Sequence, residues 1–176
     1  GEKTEPYVET DVANPISVYG ASKLQGEVEI KKIVKKHFII RTSWLYSEHG
    51  NNFMKTMLRL AETRDEISVV SDQIGTPTYA GDLAEVILKI VRSKNTNFGL
   101  YHYSNDGVAS WYDFAEAIFK ASNTEIRLNA IKTEAYPKAA KRPVYSVMDK
   151  TKIKKVLKMK TLDWQDSLKK AIASNK

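Results

Sequence analysis

Apolar residues recur along this chain at helical spacing in some stretches and as short continuous runs in others, and the alternation of the two predicts its elements. Between Ser17 and Lys36, Leu24, Val28 and the run Ile30 to Val34 supply an apolar face. Lysines crowd the end of that stretch, where positive charge suits a helix dipole, so a helix is expected. Phe38-Ile39-Ile40 is a short apolar run and reads as a buried parallel strand. Asn51-Asn52 can cap a helix with Phe53, Met54, Met57, Leu58 and Ala61 inward. Ile67 to Val70 reads as a strand. Asp82 is expected to cap a helix whose stripe is Leu83, Val86, Ile87, Ile90 and Val91. Asn97-Phe98-Gly99 is a turn, and Leu100 to Tyr103 a strand. Ser110-Trp111-Tyr112-Asp113 fits a capping box ahead of Phe114, Ile118 and Phe119, and Trp111, Tyr112 and Phe114 are expected as core or helix-start packing. Ile126 to Ile131 is a further strand, and Asp163 with Asp166 opens a last helix containing Trp164, Leu168 and Ile172. Residues 2–16, polar and holding Pro6 and Pro15, read as a loop.

Strands alternating with helices indicate an α/β protein with parallel pairing. The length of 176 residues suits one domain, and 42% hydrophobic residues can build a core. No apolar run is long enough for a transmembrane helix, and no signal peptide is visible. The absence of cysteine excludes disulfides, thiolate metal sites and a Cys nucleophile, and fits a cytoplasmic setting. His37, His49 and His102 lack metal-ligand spacing. Much of the net charge of +7 lies between Lys150 and Lys160. Such a run suits nucleic acid or a membrane surface, or else the solvated face of a short helix with Ile153, Val156 and Leu157 turned inward. No RNA or DNA motif accompanies it, so the solvated face is expected, with neither nucleic acid nor membrane as partner.

The candidate chemistry lies in Asn14-Pro15-Ile16-Ser17-Val18-Tyr19-Gly20-Ala21-Ser22-Lys23. On a helix, Tyr19 and Lys23 share one face, one turn apart. A fixed ammonium favours a phenolate, so such a phenol can pass a proton to or from a carbonyl oxygen while a cofactor moves hydride. The spacing alone is common, and a weak surface pair would show it too. Its context is more specific. Asn14 to Lys23, Arg41-Thr42-Ser43-Trp44, Asp72-Gln73-Ile74-Gly75-Thr76-Pro77-Thr78-Tyr79-Ala80, Ser110-Trp111-Tyr112 and Lys141-Arg142-Pro143 follow in order. Together they resemble the extended short-chain dehydrogenase/reductases, and within them the dTDP-4-dehydrorhamnose reductase family.

That resemblance implies part of a Rossmann-type doubly wound parallel sheet plus a smaller α/β substrate-binding domain. Residues 1–46 and about 77–104 would belong to the dinucleotide-binding part, and 47–76 and 105–176 to the substrate-binding part. It implies Tyr19 as proton donor and Lys23 on the nicotinamide ribose, with Thr42 and Ser43 near cofactor or substrate. It implies NADPH or NADH, possible use of Mg2+, a nucleotide-sugar substrate reduced at its 4-keto group, and a homodimer. No Gly-x-Gly-x-x-Gly occurs, since Gly20/Gly26 and Gly75/Gly81 are too widely spaced. The family's Gly-rich turn and its third catalytic residue, a Ser or Thr, are expected ahead of Gly1. The chain is therefore expected to be the C-terminal portion of a reductase, inactive alone.

For substrate, the resemblance points to Trp44 lining a sugar pocket, or equally to core packing there. Asn52 would face a diphosphate, or cap its helix, or both. Gln73, Thr76, Thr78 and Tyr79 would line the pocket, although their Gly/Pro context also suits a plain loop. Arg142, with Lys141 assisting, is the candidate diphosphate clamp, because guanidinium offers bidentate donors. The competing readings are another extended-type nucleotide-sugar reductase or epimerase, and a non-catalytic regulatory subunit of the same fold, such as that of methionine adenosyltransferase.

Overall fold

A computed structural model describes residues 2–136 and 142–175. Lys141 lies outside them. Helix α1 spans Val18–Ile33, and its N-cap Ser17 accepts a hydrogen bond from the Gly20 amide. Strand β1 (Phe38–Arg41) follows, then the two-residue strand β2 (Leu45–Tyr46). Helix α2 is Phe53–Ala61, capped by Asn52 as expected. Strands β3 (Glu66–Val70), β4 (Ile74–Gly75) and β5 (Thr78–Tyr79) lead into α3, Ala80–Arg92. Next come β6 (Gly99–His102), β7 (Ala109–Ser110), α4 (Trp111–Ser122) and β8 (Arg127–Ile131). Helices α5 (Thr151–Val156) and α6 (Trp164–Ser174) complete the order.

Parallel pairing holds for β1 with β6, β2 with β5 and β3 with β8, while β4 with β7 is antiparallel. The expected α/β class with parallel pairing is what the chain adopts. Two cores sit beside these pairs. One joins Tyr46, Met54, Met57 and Ile67 to Phe114, Ile118, Trp164 and Leu168. The other joins Val86, Ile90, Tyr101 and Tyr103 to Ile153, Leu157 and Met159. Helix α5 thus packs with β6 through Ile153 and Leu157, while Val156 stays 39% exposed. Its lysines are partly committed: Lys150 and Lys154 both meet Asp106, and Lys152 donates to the Leu100 carbonyl.

Two expectations need correcting. Helix α3 starts at Ala80 rather than after Asp82, and its N-cap Tyr79 makes no side-chain cap bond. The Asp82 carboxylate turns to tertiary partners instead, accepting from Asn105 Nδ2 at 2.7 Å and from the Ser167 hydroxyl. The α3 stripe also divides. Val86 and Ile90 are buried, but Ile87 and Val91 face outward. Helix α1 has no buried residue at all, and Val18 and Ile33 on it are exposed.

Candidate functional site

The segment leading into α1, the first turns of α1 and the end of β1 enclose a cleft of about 1020 Å³. The C-terminal end of a parallel strand is where α/β sheets receive ligands. Tyr19, Lys23, Thr42 and Ser43 all line it. Tyr19 is 73% exposed, so its phenol is open to a ligand rather than packed away. Lys23 Nζ stands 5.4 Å from the Tyr19 ring centroid, as the four-residue spacing on α1 requires. Ser43 donates its hydroxyl to the Thr76 carbonyl at 3.0 Å. The Thr42 hydroxyl is buried with no hydrogen-bond partner, although other atoms of the residue line the cleft.

A second cavity, of about 920 Å³, is lined by Gln73, Trp111, Thr133, Tyr136, Arg142 and residues of α2 and β3. Gln73 is fixed there by a 3.0 Å bond from its Nε2 to the Thr133 hydroxyl. Asp72 accepts three bonds from Thr133, and these hold its carboxyl below the usual carboxylate range, the Thr133 hydroxyl contributing most. One extended segment separates the cavities. Arg142 and Val144 line the second cavity, and Pro143 and Tyr145 line the cleft, as alternation along extended backbone dictates. Trp44 lies nearby with a left-handed backbone, φ +46°, and stacks on Trp111.

The other expected residues are not brought to these walls. Asn52 accepts from the Lys55 amide and donates to the Ser47 and His49 carbonyls, so its side chain is occupied as a cap. Thr76 and Thr78 are fully buried, and Thr76 donates to the Gly107 carbonyl. Tyr79 donates to Glu48 at 3.1 Å. Burial, and next Glu48, push its phenol pKa up. The 73–79 stretch runs beside Trp44, with Gly75 against its indole and the Thr78 amide on its carbonyl; Gln73 of that stretch lines the cavity of Arg142, while Asn52 serves as a cap. The physical reason is that β4 and β5 carry this stretch inward as paired strands. Reading from sequence passed over Trp111, which lines the second cavity as well as opening α4. Its place directly after the Ser110 cap was the available signal, and that spacing equally suits packing. No group of three His, Cys, Asp or Glu side chains among the described residues is arranged to hold a metal ion.

The chain is an α/β protein with parallel strand pairs, and the RmlD substrate binding domain model matches residues 1–176. The chain belongs to that family. A dTDP-4-dehydrorhamnose reductase of Aggregatibacter actinomycetemcomitans is 46% identical over 179 residues, covering 96% of this chain and 61% of the relative. The spore coat polysaccharide biosynthesis protein SpsK of Bacillus subtilis is 44% identical, covering 96% of this chain and 58% of its own length. The crystal structure of a dTDP-4-dehydrorhamnose reductase from Bacillus anthracis, in complex with NADP, superposes with a TM-score of 0.92 at 41% identity, covering 100% of this chain and 62% of that one. The chain spans about three-fifths of the length of these relatives.

Proposed function

We propose that this chain carries the proton-donating pair and the substrate-binding part of an NADPH-dependent dTDP-4-dehydrorhamnose reductase. The reaction is reduction of the 4-keto group of dTDP-4-dehydro-L-rhamnose to dTDP-L-rhamnose, for surface polysaccharide. The observation that carries the reading is Tyr19 and Lys23 together on the wall of the cleft at the end of β1. Tyr19 gives its proton to the carbonyl oxygen as that oxygen gains charge. Lys23 stabilises the phenolate left behind and holds a ribose hydroxyl, with Thr42 and Ser43 beside it. NADPH, when bound, supplies the hydride; NADH is the alternative donor.

Arg142, in the second cavity with Gln73 and Trp111, serves as the diphosphate clamp, and Trp44 borders the sugar. The two cores support a division with 1–46 and about 77–104 as the dinucleotide-binding part and 47–76 and 105–176 as the substrate-binding part, α5 reaching back across it. We place the protein in the cytoplasm, as a homodimer. The test is Tyr19→Phe in the full-length protein. Turnover should fall by about 10²-fold or more, the scale of a lost general acid, with nucleotide-sugar affinity little changed. Near-normal turnover removes Tyr19 from the mechanism.

A further inference from the structure

Tyr19, Lys23 and Glu27 follow at four-residue intervals on α1, and all three line the cleft that Arg41 also lines. Successive members of the stripe are about 6 Å apart along the helix axis. Arg41, the last residue of β1, grips Glu27 with both ends of its fork, Nε to Oε1 at 2.6 Å and a terminal nitrogen to Oε2 at 2.8 Å. The pair is largely enclosed, with side-chain exposures of 26% and 12%. The Glu27 bond raises the guanidinium pKa against the opposing effect of burial, and the Glu9 charge adds to the rise. Two parallel bonds fix direction as well as distance, which a point charge cannot do.

Within this chain α1 buries no residue, and the fork is a direct two-bond tie from the helix to β1. Lys31 Nζ also lies 4.0 Å from Glu27, but on the same helix, and cannot tie it to the sheet. We propose that the Glu27–Arg41 fork is the positioning device that orients Tyr19 and Lys23 over the end of β1. The proposal rests on the function above. It makes Glu27 and Arg41 positioning residues: they act on the reaction through the rotation and height of the helix. A 1 Å misplacement of a reacting group can cost about 10²-fold in rate.

The test uses the full-length protein with Arg41→Gln and Arg41→Lys. In Arg41→Gln, Lys31 still neutralises Glu27, so the link is lost without stranding a charge. We expect kcat to fall roughly ten- to hundredfold, with KM for the nucleotide sugar within about twofold. Arg41→Lys should recover part of that loss by restoring one contact. Amide hydrogen exchange is the second measurement. It should quicken across Tyr19 to Glu27 in Arg41→Gln while α3 is unchanged. Wild-type kcat in Arg41→Gln, or equal losses in both variants with a raised KM, would overturn the proposal. Should the wild-type protein reduce no nucleotide sugar, the proposed function fails, and the exchange data still decide the clamp: unchanged exchange in α1 rejects it.

Discussion

The indole of Trp44 lies flat on that of Trp111, with ring centroids 3.7 Å apart and planes 9° from parallel. Phe53 closes on the same Trp111 ring at 4.7 Å. Trp44 holds a left-handed backbone that costs a bulky residue on the order of 1–2 kcal/mol, and the stack is one of the contacts that offsets it. Gly75 leaves the space in which the indole edge sits. A Cβ there would come within 2.5 Å of Trp44 and 2.7 Å of Ser146.

Gly75→Ala should therefore displace the indole. We expect a loss of about 1–3 kcal/mol of stability, the usual scale of overpacking, together with weaker nucleotide-sugar binding. Urea unfolding and calorimetric titration of the full-length variant would measure both. Wild-type values in each would show that Trp44 is not held against Gly75.

Arg142→Ala should weaken nucleotide-sugar binding by roughly 1.5–3 kcal/mol, the scale of a charged hydrogen bond, and leave the turnover of bound substrate nearly intact. Arg142 lines the cavity of Gln73 and Trp111, some way along the chain from the proton donor. An affinity equal to wild type would withdraw the clamp.

These residues mark how far the sequence could be read. Caps were legible because they are local: Ser17, Asn52, Ser110 with Asp113, and Asp163 each bond an amide within three residues. Longer segments gave β1, β3, β6 and β8. The two-residue strands β2, β4, β5 and β7 were not legible, since two residues carry no period. Pairing of β5 with β2 buries Thr78, and a bond to the Gly107 carbonyl holds Thr76 between β4 and β5, where the sequence had suggested pocket lining or a plain loop. Asp82 looked like a cap until Asn105 and Ser167, distant in sequence, competed for its carboxylate. The Tyr19–Lys23 pair was legible through helix spacing, whereas the Arg41 fork on Glu27 needed the strand to be set beside the helix.

His102 predicts a pH dependence of stability. It is 1% exposed, and its Nδ1 lies 3.1 Å from the Tyr7 carbonyl oxygen and so carries the proton. Burial holds its pKa below the ordinary 6.5. Glu9 and the carbonyls of Tyr7 and Asp149 pull the other way, while Arg41 reinforces the lowering. The unfolded chain thus takes up a proton near pH 6.5 and the folded chain only at lower pH. Stability should fall as pH drops from above 6.5 toward the folded value, by at most about 1.4 kcal/mol per pH unit. Urea unfolding at pH 7.5 and 5.5 should show the loss, and His102→Gln should flatten it. An equal slope in the variant would assign the effect to other groups.

The chain on its own should self-associate. Among the described residues β1 is paired on one edge only, and α1 exposes Ile30, Ile33 and Val34 while α3 exposes Ile87, Leu88 and Val91. A symmetric dimer covering such a face is expected at low micromolar concentration. The same sample should bind NADPH weakly, because its sequence holds no Gly-rich pyrophosphate turn. Sedimentation with an NADPH titration tests both, and a monomer binding NADPH at micromolar affinity would contradict them.

The strand pairing also sets how this chain must reach its native state. Among the described residues no two strands consecutive in sequence are partners: β1 waits for β6, β2 for β5, β3 for β8 and β4 for β7. The bridge between Tyr7 and Met148 joins nearly the two ends. No hairpin can therefore form early and template the rest, and each sheet contact must close a long loop before it returns any energy. The capped helices are the structure available first. Refolding from urea should be slow for a chain of this size, with helical signal gained before the aromatic stack around Trp111 becomes fixed.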